Sequence, residues 1–428
     1  MHRPADWMQQ EMASADARSS TRRIGWDACF LPTNPRDALL DSPDRIAPEN
    51  IMKHTENDIR RRVLMVSTSY PASLSDWRGL FIRHLSEALA RRSDLGLSMW
   101  SPPGERPGNS NYAATAEESV WLGELMAKGG IAHLLRSRML DGLASSLKLL
   151  HALRKMYRRE SGNADVRHVN WLQNSLVLPD DDIPLLATVL GTDMQLLKMP
   201  GMSLLLRRVF RKHRTAICPN AEWMVPRLQA LFGNVACVRF VPFGIEPRWF
   251  DIQRTPHAAR RWLCVSRLTA GKIGTLFDWA EKHFRGSGRE LHLFGPMQQT
   301  MKVPDWVHYH GPATPESLAE EWFPRAQGLI TLSKHAEGRP QVMLEAMAAG
   351  LPVIASRIPA HEDMLRHQDT GWLCDSEAGL GNALDALDET GFNRDLGLRA
   401  REWARSKIGT WDDCAQRYSD IYTELIGS

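Results

Sequence analysis

The stretch that most constrains the fold runs from Gly328 to Ser356. It opens with an apolar run, Gly328-Leu329-Ile330-Thr331-Leu332-Ser333, of a length and character that suit a buried strand. A loop holding Glu337, Gly338, Arg339 and Pro340 follows. Gln341 to Ala349 is rich in Leu, Met and Ala, which favours helix. Gly350 stops that helix, Pro352 stands close behind it, and Val353-Ile354-Ala355-Ser356 reads as a second buried strand. Strand, loop, helix, strand predicts one βαβ unit, and open α/β sheets bind ligands at the carboxyl edge of their strands. Glu337 and Glu345 fall near that edge. Carboxylates there can accept hydrogen bonds from vicinal hydroxyls such as those of ribose and other sugars.

Composition limits what surrounds this unit. The 428 residues, 43% hydrophobic and 24% charged, suit a globular chain of two domains with an appendage. A net charge of +3 is too small to argue for a nucleic-acid partner. Cys29, Cys218, Cys237, Cys264, Cys374 and Cys414 form no CxxC pair. That scatter suits a reducing compartment and argues against a disulfide framework or a structural zinc. No apolar run approaches the ~20 residues that span a bilayer, and the amino terminus lacks an apolar core of signal-peptide type. A cytoplasmic protein is expected, with contact at the inner face of a membrane left open.

Residues 1–58 mix Pro, Ser, Asp and Arg with no sustained apolar period. They read as an irregular or disordered extension, or as an over-long start ahead of Met52. Arg62 to Ser69 is a buried parallel strand by pattern, and the loop after it ends at Gly79. Leu80, Phe81, Leu85 and Leu89 then mark one face of a helix. Strand, glycine loop, helix is how α/β proteins bring backbone N–H groups to a phosphate, though any tight turn can need the glycine. Leu95 to Trp100 is a second strand.

Ile131 to Tyr157 is amphipathic at helical spacing, with Arg136, Arg138, Lys148, Arg154 and Lys155 on its other faces and Arg158 and Arg159 beyond its end. Those cations read either as a solvated face or as a surface for anionic lipid or a phosphorylated lipid acceptor. Asp180-Asp181-Asp182 precedes the apolar strand Ile183 to Leu190 instead of closing it, so it reads as a solvated turn and not as a metal site. Asp193 stands at that strand's carboxyl end.

Trp262 to Ser266 opens a second α/β unit, and Arg267 and Lys272 flank the short loop that follows. Two cations and a helix amino terminus there suit a diphosphate; the alternative is a pair of surface charges. Leu291 to Phe294 is another strand, ending at Gly295, and Trp411 to Ile426 is a last amphipathic helix. The histidines His308, His310, His335, His361 and His367 have no metal-ligand spacing, and no metal is expected.

Glu337-x7-Glu345, continued by Ala-Met-Ala-x-Gly-x-Pro-Val, closely resembles the nucleotide-sugar site of GT-B glycosyltransferases, in particular the retaining glycosyltransferase family 4. Ser333, the Thr370–Leu373 segment with Gly371, and Arg267-x4-Lys272 extend the match. The resemblance implies an α/β fold of two Rossmann-like doubly wound domains facing across a cleft. Residues 59–250 would form the acceptor domain, 251–408 the donor domain, and 409–428 a helix crossing back.

It also implies roles. Arg267 and Lys272 would hold the donor's diphosphate without metal, Glu345 the ribose hydroxyls, and Glu337 the donor sugar. Gly79 and Gly338 would let backbone approach the ligand, and Gly295 would lie near the base. His168 and Asp193 would face the acceptor; the plain alternative for His168 is a satisfied buried histidine. Leu190 stands where the family often has a histidine, and Phe243 where it usually has asparagine. The implied activity is retaining, metal-independent transfer of a sugar from a nucleoside diphosphate to a saccharide or lipid-linked acceptor in cell-envelope or exopolysaccharide assembly. A sugar-nucleotide 2-epimerase, a soluble-sugar synthase or phosphorylase, and a catalytically silent nucleotide-sugar-binding subunit share the same fold.

Overall fold

The computed structural model describes residues 60–427, apart from 74, 75, 77, 131–138 and 336. The extension read over residues 1–58 and the start of the basic helical region at Ile131 lie outside the described residues. The described residues belong to one compact unit.

Two parallel sheets organise it. The first holds β1 (Arg61–Val66), β2 (Leu95–Trp100), β3 (Ser110–Tyr112), β4 (Val166–Asn170), β5 (Leu185–Val189), β6 (Thr215–Pro219) and β7 (Cys237–Val238). Their order is β3-β2-β1-β4-β5-β6-β7. The second holds β8 (Arg261–Val265), β9 (Glu290–Phe294), β10 (Val307–Gly311), β11 (Gly328–Thr331), β12 (Val353–Ser356) and β13 (Trp372–Cys374), in the order β10-β9-β8-β11-β12-β13. Helices cover both faces of each sheet; β4 and β5 are buried at every position, although β4 carries Arg167, His168 and Asn170.

Each order reverses once, between β1 and β4 in the first sheet and between β8 and β11 in the second. At such a reversal the two neighbouring loops diverge and leave a crevice outside the strands' carboxyl ends. The loop after β1 ends at Gly79, the loop after β8 carries Arg267 and Lys272, and the loop after β11 carries Glu337. Topology therefore puts most of the charged candidates at one crevice.

The chain passes between the sheets twice, at Gly244–Ile245 and at Gly409–Thr410. The two passages lie side by side, with the Ile245 N–H donating to the Gly409 carbonyl at 3.0 Å. Helix Trp411–Ile426 then lies on the first sheet, where Trp411, Tyr418, Ile421, Tyr422 and Leu425 join the core around Val63, Met65, Ile82 and Leu85. A capping box at Thr410 and Asp413 starts this helix.

Among the described residues, Cys218, Cys264, Cys374 and Cys414 are free and buried. None of the described helices is long and apolar enough to cross a membrane.

Candidate donor site at the crevice of the second sheet

Lys272 sits on the one-turn helix Ala270–Ile273, whose Thr269 cap accepts from the Lys272 N–H. Its Nζ lies 2.5 Å from Glu337 Oε2, and the two side chains are 15% and 10% exposed. Burial pulls the Lys272 pKa below the ordinary lysine value, the Glu337 charge raises it in part, and Arg267 lowers it again. The three charges therefore feel one another. The short helix offers little dipole, so side-chain cations carry the positive potential.

The loops bearing these charges are tied together. The Lys334 N–H donates to the Gly271 carbonyl at 2.8 Å. Ser333 Oγ donates to Glu337 Oε1 at 3.2 Å and accepts from the His335 N–H at 3.0 Å. Ser356 Oγ in turn donates to the Ser333 carbonyl at 2.5 Å. Gly295 has φ 135°, and a Cβ there would lie 1.9 Å from the Ser266 carbonyl oxygen, so only glycine fits where β9's loop meets the Arg267 loop.

Glu345 lies on helix Gln341–Ala348, which Gly350 ends in the left-handed region. The residue keeps partial contact with solvent but lies deep among protein atoms. That burial, with the nearby Glu246 charge, pushes its carboxyl up to about 8; Arg248 opposes the shift. A protonated acid at neutral pH is a group poised to gain from polar ligand contacts.

Gly338 faces the first domain. A Cβ on Gly191 would meet the Gly338 nitrogen at 2.4 Å, and one on Gly338 would meet the Gly191 nitrogen at 2.9 Å. Two glycines thus let the domains touch backbone to backbone. Gly191 was not singled out in the sequence, because its requirement comes from a partner 147 positions away in the chain, 338 less 191. Gly79, with φ 75°, caps helix Leu80–Ala90 at the first sheet's own reversal.

Two expected site residues are corrected. His168 is wholly buried in β4; Nδ1 lies 2.5 Å from the Tyr422 hydroxyl and Nε2 2.7 Å from Thr188 Oγ1. Desolvation lowers its pKa to about 3, so it stays neutral and ties the last helix to the sheet. Asp193 is also buried. Its Oδ1 accepts from the Leu172 N–H at 2.8 Å and its Oδ2 from the Leu190 N–H at 2.7 Å. Burial raises its pKa to about 7. Both side chains are engaged within the fold, His168 with the Tyr422 and Thr188 hydroxyls and Asp193 with two backbone N–H groups. His168→Leu should therefore cost about 1–3 kcal/mol of stability in chemical denaturation, with nucleotide affinity unchanged within experimental error.

Asp181 pairs with the buried Arg167 at 2.7 Å and Asp180 with Lys212 at 2.6 Å. Among the described residues, no group of three or more His, Cys, Asp or Glu side chains could hold a metal ion.

Residues 260–389 match the family model described as Glycosyl transferases group 1. N-acetyl-alpha-D-glucosaminyl L-malate synthase of Bacillus anthracis is 31% identical over 144 residues, 33% of this chain and 36% of that protein. GDP-mannose-dependent alpha-(1-6)-phosphatidylinositol monomannoside mannosyltransferase of Mycobacterium tuberculosis is 27% identical over 228 residues, 46% of this chain and 58% of that protein. These matches span between a third and three fifths of the relatives' lengths. The solved structure of sucrose-phosphate synthase from Thermosynechococcus elongatus superposes with a TM-score of 0.63 at 19% identity, over 86% of this chain and 99% of that one. The chain has the two-domain GT-B fold, and residues 260–389 of its second half are similar to the glycosyl transferases group 1 family.

Proposed function

We propose that the protein is a glycosyltransferase that moves a sugar from a nucleoside diphosphate to a saccharide or lipid-linked acceptor, with retention and without a metal. The observation that carries this reading is the Lys272–Glu337 pair at the reversal of the second sheet, with Arg267 beside it. Lys272 and Arg267 would neutralise charge that builds on the departing diphosphate, the task a metal performs elsewhere. Glu337 would accept from hydroxyls of the donor sugar, and Glu345 from those of the ribose. The leaving phosphate would take the acceptor's proton. The names of the relatives, one of them GDP-mannose-dependent, support a nucleotide-sugar donor.

The test is thermal-shift binding of UDP-, GDP- and ADP-sugars without metal. A ligand at a hundred times its dissociation constant should add about 2.7 kcal/mol of stability. One nucleotide series should stabilise the protein; stabilisation by none would sink the reading. Release of a free epimerised sugar nucleotide without acceptor would instead indicate an epimerase. Binding without turnover across acceptors would indicate a silent subunit.

The acceptor side of this reading includes peripheral membrane contact through helix Met139–Arg159. Leu140, Leu143 and Leu147 are 78%, 50% and 69% exposed along one stripe, and Lys148, Arg154, Lys155 and Arg158 are exposed beside or beyond them. Exposed leucines next to exposed cations suit an anionic bilayer surface. Wild type should co-sediment with vesicles containing phosphatidylglycerol and not with phosphatidylcholine alone. Leu143→Glu/Leu147→Glu should lower that binding at least about tenfold. Equal sedimentation of both proteins would remove the membrane from the proposal.

A further inference from the structure

Arg339 directly follows the Glu337-Gly338 pair, and its side chain is 2% exposed. Nη2 donates to Asp363 Oδ2 at 2.7 Å, and Asp363 is itself 5% exposed. The guanidinium carbon lies 4.9 Å from the centre of the Phe240 ring, which belongs to the first domain. Asp363 also receives first-domain backbone: the Trp223 N–H donates to Oδ1 at 2.9 Å and the Glu222 N–H to Oδ2 at 3.1 Å. The Trp223 indole N–H donates to the Gly338 carbonyl at 3.0 Å. One turn of the first domain is thus bound both to the loop carrying Glu337 and to the acid that anchors Arg339.

Stability alone does not account for this arrangement. A buried ion pair often gains nothing over an apolar pair of the same volume. Here, among the described residues, Arg339 Nε and Nη1 also lack hydrogen-bond partners, which costs more. What the pair supplies is connection. Asp363 can accept two backbone N–H groups from the opposite domain while its charge is balanced, and the balancing cation belongs to the Glu337 loop.

We propose that Arg339 and Asp363 are positioning residues that latch the Glu222–Trp223 turn onto the Glu337–Gly338 loop, so that Glu337 stands ready for a donor sugar only when the two domains are closed. The link to the sugar rests on the donor-site reading of Glu337; the latch itself does not.

The test uses the full chain and the variants Asp363→Asn, Arg339→Met, Arg339→Lys and Trp223→Phe. Trp223→Phe removes a single hydrogen bond and leaves the buried pair intact, so it guards against a fold that fails. Amide exchange at Glu222 and Trp223 should quicken roughly tenfold or more in Asp363→Asn, with exchange in β5 and β11 unchanged. Arg339→Lys should restore part of what Arg339→Met loses.

The affinities of UDP and GDP should stay within about twofold of wild type in Trp223→Phe, while those of UDP-glucose or GDP-mannose fall about tenfold. Wild-type exchange rates at both amides in Asp363→Asn and Arg339→Met would overturn the latch. Equal loss of nucleotide and nucleotide-sugar affinity would overturn the positioning of Glu337. If no nucleoside diphosphate binds wild type, the donor reading and its link to the sugar fall, and the exchange rates still decide the latch.

Discussion

Lys272→Ala should lower turnover with any donor by roughly a hundredfold to a thousandfold, the scale seen when one preorganised group facing developing charge is removed. Lys272 is enclosed, paired with Glu337 at 2.5 Å, and held below the ordinary lysine pKa mainly by its own desolvation. An ammonium placed this way has few water dipoles to compete with a diphosphate, so its interaction is stronger than at an open surface. The same change leaves the Glu337 carboxylate, bonded to the Ser333 hydroxyl, without its nearby ammonium in a largely enclosed pocket. A loss of about 1–3 kcal/mol in stability should accompany the loss of activity.

The double variant Lys272→Ala/Glu337→Gln separates the two effects. Removing the stranded carboxylate should return most of the lost stability, and turnover should stay as low as in the single variant. Recovery of turnover in the double variant would mean that Lys272 serves only to neutralise Glu337. Steady-state kinetics and urea denaturation on the same preparations give both numbers.

The elements around the candidate donor site were legible because their pattern is local in sequence. The apolar runs before and after Glu337–Gly350 are β11 and β12, the Leu/Met/Ala segment is helix Gln341–Ala348, and Gly350 ends it in the left-handed region. Arg267 and Lys272 stand after β8, where the strand order reverses. The edge strands β3 and β7 were not legible; three and two residues are too short to show a period.

His168 and Asp193 show a different limit. Each stands at or near a strand's carboxyl end, as a site residue would. His168 was claimed by Tyr422, 254 residues on, and by Thr188 on the neighbouring strand. Asp193 was claimed by the Leu172 and Leu190 N–H groups. Nothing near either residue in the chain announces these partners. Arg339 and Asp363 are of the same kind: their significance comes from backbone on the first domain.

Glu345→Gln should stabilise the ligand-free protein at alkaline pH and weaken nucleotide binding there. The ordinary carboxyl value is 4.5, and burial with Glu246 nearby raises it to about 8 in the folded chain. Between those values the folded state holds a proton that the unfolded state has released. Stability from this group is therefore present at low pH and declines as pH rises toward about 8, where the penalty levels off. Glutamine carries no such penalty. The variant should match wild type near about pH 5 and exceed it by roughly 2 kcal/mol near about pH 9, a figure discounted because the side chain keeps some solvent contact.

Binding should run the other way. Ribose hydroxyls donate best to an ionised acceptor, so wild-type affinity for a nucleoside diphosphate should climb through about pH 8 and fall again as Lys272 loses its proton below the ordinary 10.5. In Glu345→Gln the rising limb should vanish, and the preference for ribo- over deoxyribonucleotides should shrink about tenfold. Calorimetric titration across this range, with each nucleotide in both sugar forms, reads every part of the expectation. An unchanged ribose preference in the variant would take Glu345 out of the ligand site and leave its raised pKa as a purely structural cost.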